Sequence, residues 1–173
     1  KTVMTENAMS LSFKQWALDN YQNQELRLTH RTNNWAAVSS GGWDGEIPLN
    51  YKRDSRTFAV FAHPKNSIRA AVKSIINHSS LTNAINNVDK RYGSEPTYDE
   101  IFQMYAEDNE SYLNALESKT NFDRNDTINL LNANELHKLM KFIVQHEMGK
   151  EYYLEKFGKQ NQYVNSVIFQ GIN

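Results

Sequence analysis

Apolar residues recur at three- and four-residue steps through most of this chain, and the longest such stripe lies near its end. In the segment from Glu135 to Tyr153, ELHKLMKFIVQHEMGKEYY, residues Leu136, Leu139, Met140, Ile143 and Val144 keep the period that lines one face of an α-helix. Continuing the stripe by four from Ile143 reaches Glu147. At about 100° per residue this carboxylate sits near the middle of the apolar face, while Lys138, Lys141 and Gln145 point elsewhere. Gly149 predicts that the helix ends or loosens there, which leaves Glu147 at the mouth of a cleft rather than deep in a core.

The remaining elements follow in order. Lys1 to Ala8 is polar and predicts a flexible lead-in. Leu11, Phe13, Trp16, Ala17 and Tyr21 predict a first helix, capped by Ser10 or Ser12 and ending between Gln22 and Leu26. From Thr29 to Phe61 the pattern changes. Asn33-Asn34, Ser39 to Gly42, Asp44-Gly45 and Pro48 supply turn chemistry at short intervals, which predicts a small β-lobe carrying Trp35, Trp43, Tyr51, Phe58 and Phe61.

Pro64 opens a strong helical run to about His78 through Ile68, Ala71, Val72, Ile75 and Ile76. Ser80 or Thr82 begins a shorter helix with Leu81, Ile85 and Val88, stopped by Gly93 and Pro96. Thr97 and Glu100 form a capping-box pattern ahead of Ile101 and Phe102, and Asn109 to Leu116 is a further helix. After Leu154 and Phe157 a polar terminal segment begins at Gly158, where Val164, Val167, Ile168 and Phe169 suit a strand or a short docking helix. The expected fold is α+β and predominantly helical. Its expected divisions are 1–28 as lead-in and first helix, 29–158 as the main domain with its β-lobe near the N-terminal third, and 159–173 as a C-terminal tail.

With 173 residues, 39% hydrophobic and 12% aromatic, the composition is that of a globular domain with a proper core. A formal net charge of -1 and the lack of a dense Lys/Arg run nominate neither nucleic acid nor an anionic membrane as partner. No cysteine is present, so disulfides and thiolate metal sites are excluded. The chain begins at Lys1, as expected of a processed product or a segment of a longer protein.

Candidate chemistry narrows to one acid. His146-Glu147 resembles the start of a zinc-protease pair, but position 150 is Lys and not His, and His137 lies off the same helix face, so no metal is expected. Neither a phosphate-binding loop nor a G-x-S-x-G elbow occurs, and no cofactor is expected. A carboxylic acid kept protonated by apolar surroundings is what a general acid requires. The ordinary alternative for Glu147 is an ion pair or a backbone amide partner. Trp43, set among glycines in GGWDGE, is a candidate platform for a sugar ring, and Glu25 is a second candidate acid beside the turn-rich segment.

These segments together resemble a family of phage-encoded, virion-associated murein hydrolases with a lysozyme-like fold. The family's R-x-N-N-P-G-N-I motif is echoed by Arg31, Asn33, Asn34 and Val38, and its W-x-G by Trp43, Asp44 and Gly45. A following F-x-x-F-D-x-P-x-x-G-I-R-A segment is matched by Phe58, Phe61, Pro64, Ile68, Arg69 and Ala70. Asp108, Asn109, Tyr112 and Leu113 echo E-N-x-x-x-Y-I, and Ile143, His146, Glu147 and Gly149 match the closing I-x-x-H-E-N-G. Where the family has NNPGNI this chain reads NNWAAV, and Met148 replaces the second Asn of the closing motif.

The resemblance implies a lysozyme-like lytic transglycosylase or muramidase whose elements run in a circularly permuted order. It implies Glu147 as general acid and base on the β-1,4 bond of peptidoglycan, with Asn33, Asn34, Trp43 and His146 binding the glycan. It also implies a phage virion as the setting, the host wall in the periplasm as the place of action, and other virion proteins as partners. The altered NNWAAV loop keeps an alternative open, a non-enzymatic virion or wall-binding protein of the same shape. A further alternative puts Glu25 in the acid's role, beside Trp43.

Overall fold

The computed structural model describes residues 6–76, 92, 95–158 and 161–173, and among them the protein is predominantly helical α+β. Helix α1 spans Glu6–Asn20, so it starts inside the expected lead-in, with Ser10 and Ser12 within it rather than capping it. A single turn, α2, covers Leu28–Arg31. The β-lobe consists of two small antiparallel pairs. Strand β1 (Glu46–Ile47) pairs with β4 (Val60–Phe61), and β2 (Lys52–Arg53) with β3 (Arg56–Thr57). Turn residues dominate this stretch, as their density demands, and Phe58 and Phe61 go into the core as side chains of the lobe.

Helix α3 (Pro64–Ile76) starts at the expected proline and buries Ile68, Ala71, Val72, Ile75 and Ile76. The helix expected around Leu81 to Val88 lies outside the described residues. Helix α4 (Tyr98–Tyr105) opens on the full capping box. Thr97 Oγ1 accepts from the Glu100 N–H at 3.1 Å, and Glu100 Oε1 accepts from the Thr97 N–H at 3.1 Å. Helix α5 (Asn109–Lys119) is capped by Asp108, whose Oδ1 accepts from the Ser111 N–H at 3.2 Å.

The apolar stripe that dominates the C-terminal half is α6 (Ala133–Met148), begun by Asn132, whose Oδ1 accepts from the N–H groups of Asn134 and Glu135. It ends at Gly149, which at φ +84° is in a region that costs other residues strain, and α7 (Lys150–Phe157) begins at the next residue. The segment from 135 to 153 is therefore two helices, with the break at Gly149, where the sequence placed the helix end.

Residues 161–172 form α8 (Asn161–Ile172), which packs against α3 and α6 with Val164, Val167, Ile168 and Ile172 buried. It is an integral wall of the core and not a tail. A Cβ at Gly171 would lie 2.5 Å from the Ile68 Cβ and 2.7 Å from the Lys65 carbonyl oxygen, so glycine sets how closely α8 and α3 approach. Tertiary burial decides these endings, since the propensity of a polar segment such as NQYVNS is weak.

Candidate functional site

A groove of about 920 Å³ crosses the molecule between the β-lobe and the α4–α5 corner, lined by Ser39, Ser40, Trp43, Tyr105, Asp108 and Glu147 among others. A second hollow of about 510 Å³ adjoins it, and Ala37, Ser55, Arg56 and Glu147 line both. Glu147 thus stands at the junction of two arms. The helical stripe brings it to the core's edge, and the break at Gly149 stops further helix from covering it.

Glu147 is half-buried, and Tyr112 on α5 donates its hydroxyl proton to Oε1. Burial raises the acid's proton affinity above the ordinary carboxyl value, and the Tyr112 hydrogen bond and then the Arg56 charge draw it part of the way back. Burial first, with Tyr105 and Glu147 behind it, pushes the Tyr112 phenol far above its usual range, so it remains a donor. Tyr105, also kept protonated by burial, donates to the Ala36 carbonyl oxygen at 2.7 Å.

Arg56 closes the junction from the β-lobe. Its Nε donates to Ser39 Oγ at 2.6 Å, its Nη2 donates to the Ala37 carbonyl oxygen, and its guanidinium lies 5.3 Å from the centre of the Phe58 ring. Ala37 has φ +56°, a left-handed conformation that costs a residue with a Cβ about 1–2 kcal/mol. The surrounding bonds impose it at the floor shared by both arms, where such strain collects in functional sites.

Trp43 is partly buried in the first arm, its Nε1 donating to the Ser39 carbonyl oxygen at 2.9 Å. Glu46 holds the loop beneath it, accepting from Ser40 Oγ at 2.5 Å, from the Gly41 N–H at 3.0 Å and from the Trp43 N–H at 3.4 Å. His146 lines the same arm, with Nε2 3.2 Å from Ser111 Oγ and its ring 4.1 Å from that of Tyr112. Burial, then Lys119, lowers its proton affinity, so it is neutral at pH 7 and available for hydrogen bonding.

Asn33 and Asn34 do not reach the groove. Asn33 Nδ2 donates to the carbonyl oxygens of Phe13 and Phe61, both at 2.9 Å. Asn34 Nδ2 donates to Val38 and Ala59 carbonyl oxygens at 2.8 and 2.9 Å, and its Oδ1 accepts from the Val38 N–H at 3.0 Å. Both are buried, at 1% and 0% exposure, and every side-chain bond goes to backbone. Their assignment as glycan contacts is corrected: they tie the loop to the β-lobe. Glu25 is exposed in a turn, lines neither arm and has no place beside Trp43, so the alternative acid is set aside.

Glu147, His146 and Trp43 therefore share one groove, 3 members of the expected constellation brought together by the fold. Tyr112, Tyr105 and Arg56 line the same groove and were not expected there, nor was the support Glu46 gives to the Trp43 loop. Tyr112 stands in the sequence at a motif position, but partnership between residues far apart in the chain leaves no local signal. No protein-family model matches the chain, and no curated protein matches it either.

Proposed function

We propose that the protein cleaves the β-1,4 glycosidic bonds of peptidoglycan, with Glu147 as general acid and then base. One observation carries this reading: a carboxyl group with raised proton affinity stands at the junction of an open groove that also presents an indole. The sequence resemblance to lysozyme-like murein hydrolases of phage virions points the same way and supplies the setting, a virion acting on the host wall.

In this mechanism the glycan lies along the groove with a sugar ring against Trp43. With Oε1 accepting from Tyr112, Oε2 carries the proton that passes to the leaving oxygen as the C1–O bond breaks. The new carboxylate is stabilised by the Tyr112 hydroxyl and the Arg56 charge, the two influences that favour its ionised form. It then takes a proton from the sugar's own 6-hydroxyl, which closes an anhydro ring, or from water, which gives the hydrolysed product. The first outcome needs one essential carboxylate. No metal or organic cofactor takes part in either route.

Purified protein incubated with sacculi is expected to release soluble muropeptides, whose masses distinguish anhydro from hydrated ends. Glu147→Gln is expected to lower the rate by about 100-fold or more. Sedimentation with murein and no release of fragments would replace this reading with the wall-binding one.

A further inference from the structure

The two arms that meet at Glu147 differ in charge. The first carries hydroxyls, an indole and the acids Glu107 and Asp108. The second is lined by Arg27, Arg31, Arg53 and Arg56, with Asp54 and the junction residue Glu147 as its acids. Among the described residues none of these arginines pairs with a carboxylate within 4.0 Å. Arg31 is buried and spends its donors on neutral oxygens, the Tyr21 and Leu26 carbonyls at 2.9 and 2.7 Å and the Tyr51 hydroxyl at 3.0 Å. Arg27 and Arg53 are exposed. The Arg27 guanidinium reaches within 3.5 Å of where a Cβ on Gly149 would lie, so it stands beside the end of the helix that bears Glu147. Thr29, at 5% exposure, lines the same arm, and its hydroxyl has no hydrogen-bond partner among the described residues.

Guanidinium groups without a carboxylate partner, gathered in one concave arm, concentrate positive potential there, and the exposed forks of Arg27 and Arg53 match carboxylates. Resting on the reading above, we infer that this arm takes the carboxylate-bearing substituent on C3 of the muramic sugar flanking the cleaved bond. A β-1,4 chain runs through C1 and C4 of each sugar, so the C3 substituent projects to the side of the muramic ring whose C1–O bond is cleaved and not along the chain. The arm opens beside Glu147 in the same way. The glycan backbone follows the first arm, while the second selects peptidoglycan over an uncharged chain of N-acetylglucosamine. The carboxylate is either that of the lactyl ether itself or those of the peptide attached to it.

The test uses three soluble probes: a chitin oligosaccharide, a peptide-free peptidoglycan strand with its free lactyl carboxylates, and the same strand bearing stem peptides. Binding is measured by calorimetry on full-length protein carrying Glu147→Gln, with Arg27→Gln or Arg53→Gln added. The carboxylate-bearing probes are expected to bind at least about tenfold tighter than chitin, with that ratio falling about tenfold on loss of either arginine and shrinking at high salt. A preference limited to the peptide-bearing strand assigns the peptide carboxylates, one limited to the peptide-free strand assigns the lactyl carboxylate, which the stem peptide converts to an amide, and one shared by both strands shows that the arm takes either carboxylate. Equal affinity for all three probes, or ratios unchanged in both arginine variants, overturns the inference. Cleavage of both strands by the parent protein is scored separately: carboxylate-dependent binding with neither strand cleaved sinks the glycosidase reading alone, and cleavage without carboxylate preference sinks the arm alone.

Discussion

The Tyr112 hydroxyl is the hydrogen-bond donor to Glu147, across 35 residues of chain and from one helix to another. Removing it takes away one of the two influences that hold the acid's proton affinity down, leaving burial to act more fully. The high-pH limb of the kcat/KM profile, where the general acid loses its proton, is therefore expected to move to higher pH in Tyr112→Phe. Arg56→Gln should move it in the same direction, by loss of the second influence. A limb that stays in place in both variants would show that a different group titrates.

Glu147 is also a stability liability. Its folded-state proton affinity is raised, so between the unfolded value and the folded one the native protein binds more protons than the unfolded chain, and stability falls as pH rises through that window. Glu147→Gln keeps an oxygen for Tyr112 and removes the ionisation. Thermal melts should show the variant more stable than the parent at pH 7, with the gap closing toward pH 4, and each kcal/mol recovered moves Tm by about 2–4 °C. A parent that is equally or more stable at pH 7 would mean that the ionised carboxylate is well compensated.

Asn34 has a different role. Its side chain makes 3 hydrogen bonds in a fully buried site, to Val38 twice and Ala59 once. Asn34→Ala leaves those backbone groups unpaired and is expected to cost about 3 kcal/mol, lowering Tm by roughly 6–12 °C. The molecules that remain folded should retain affinity for glycan. A stable variant with lost affinity would return Asn34 to the binding surface.

What could be inferred from the sequence followed the local rules. Ile143 and Glu147 are one helical turn apart, so spacing alone put the acid on the apolar face, and Thr97 with Glu100 announced its own cap. Gly149 marked the break for the same reason. The asparagine pair misled because its place in the motif implied contact with glycan, whereas the lobe's irregular backbone leaves buried carbonyl groups that these two amides satisfy. Helix α8 was obscured because its burial depends on α3 and α6, far from it in sequence. Arg56 was missed for a related reason: it is an ordinary β-lobe arginine until the fold carries it to Glu147.

His63 gives a prediction independent of the groove. It precedes Pro64 at the start of α3, and its Nδ1 accepts from the Lys65 N–H at 3.0 Å, while its ring meets Phe13 edge-on at 4.6 Å. Protonation would turn that acceptor into a donor facing an N–H. Burial first, and Lys65 second, lower its proton affinity from 6.5 to about 4. Because the folded value is depressed, this contribution is fully present above pH 6.5 and is lost as pH falls toward 4, where the unfolded chain takes up the proton more readily. His63→Asn keeps a side-chain oxygen to cap the helix and has nothing to titrate. Urea unfolding at stepped pH should give a shallower loss of stability between 6.5 and 4 in the variant. Part of the slope should remain, because His30 is lowered to about 4 by burial and Lys156. Parallel profiles for parent and variant would show that the imidazole at position 63 does not govern acid sensitivity.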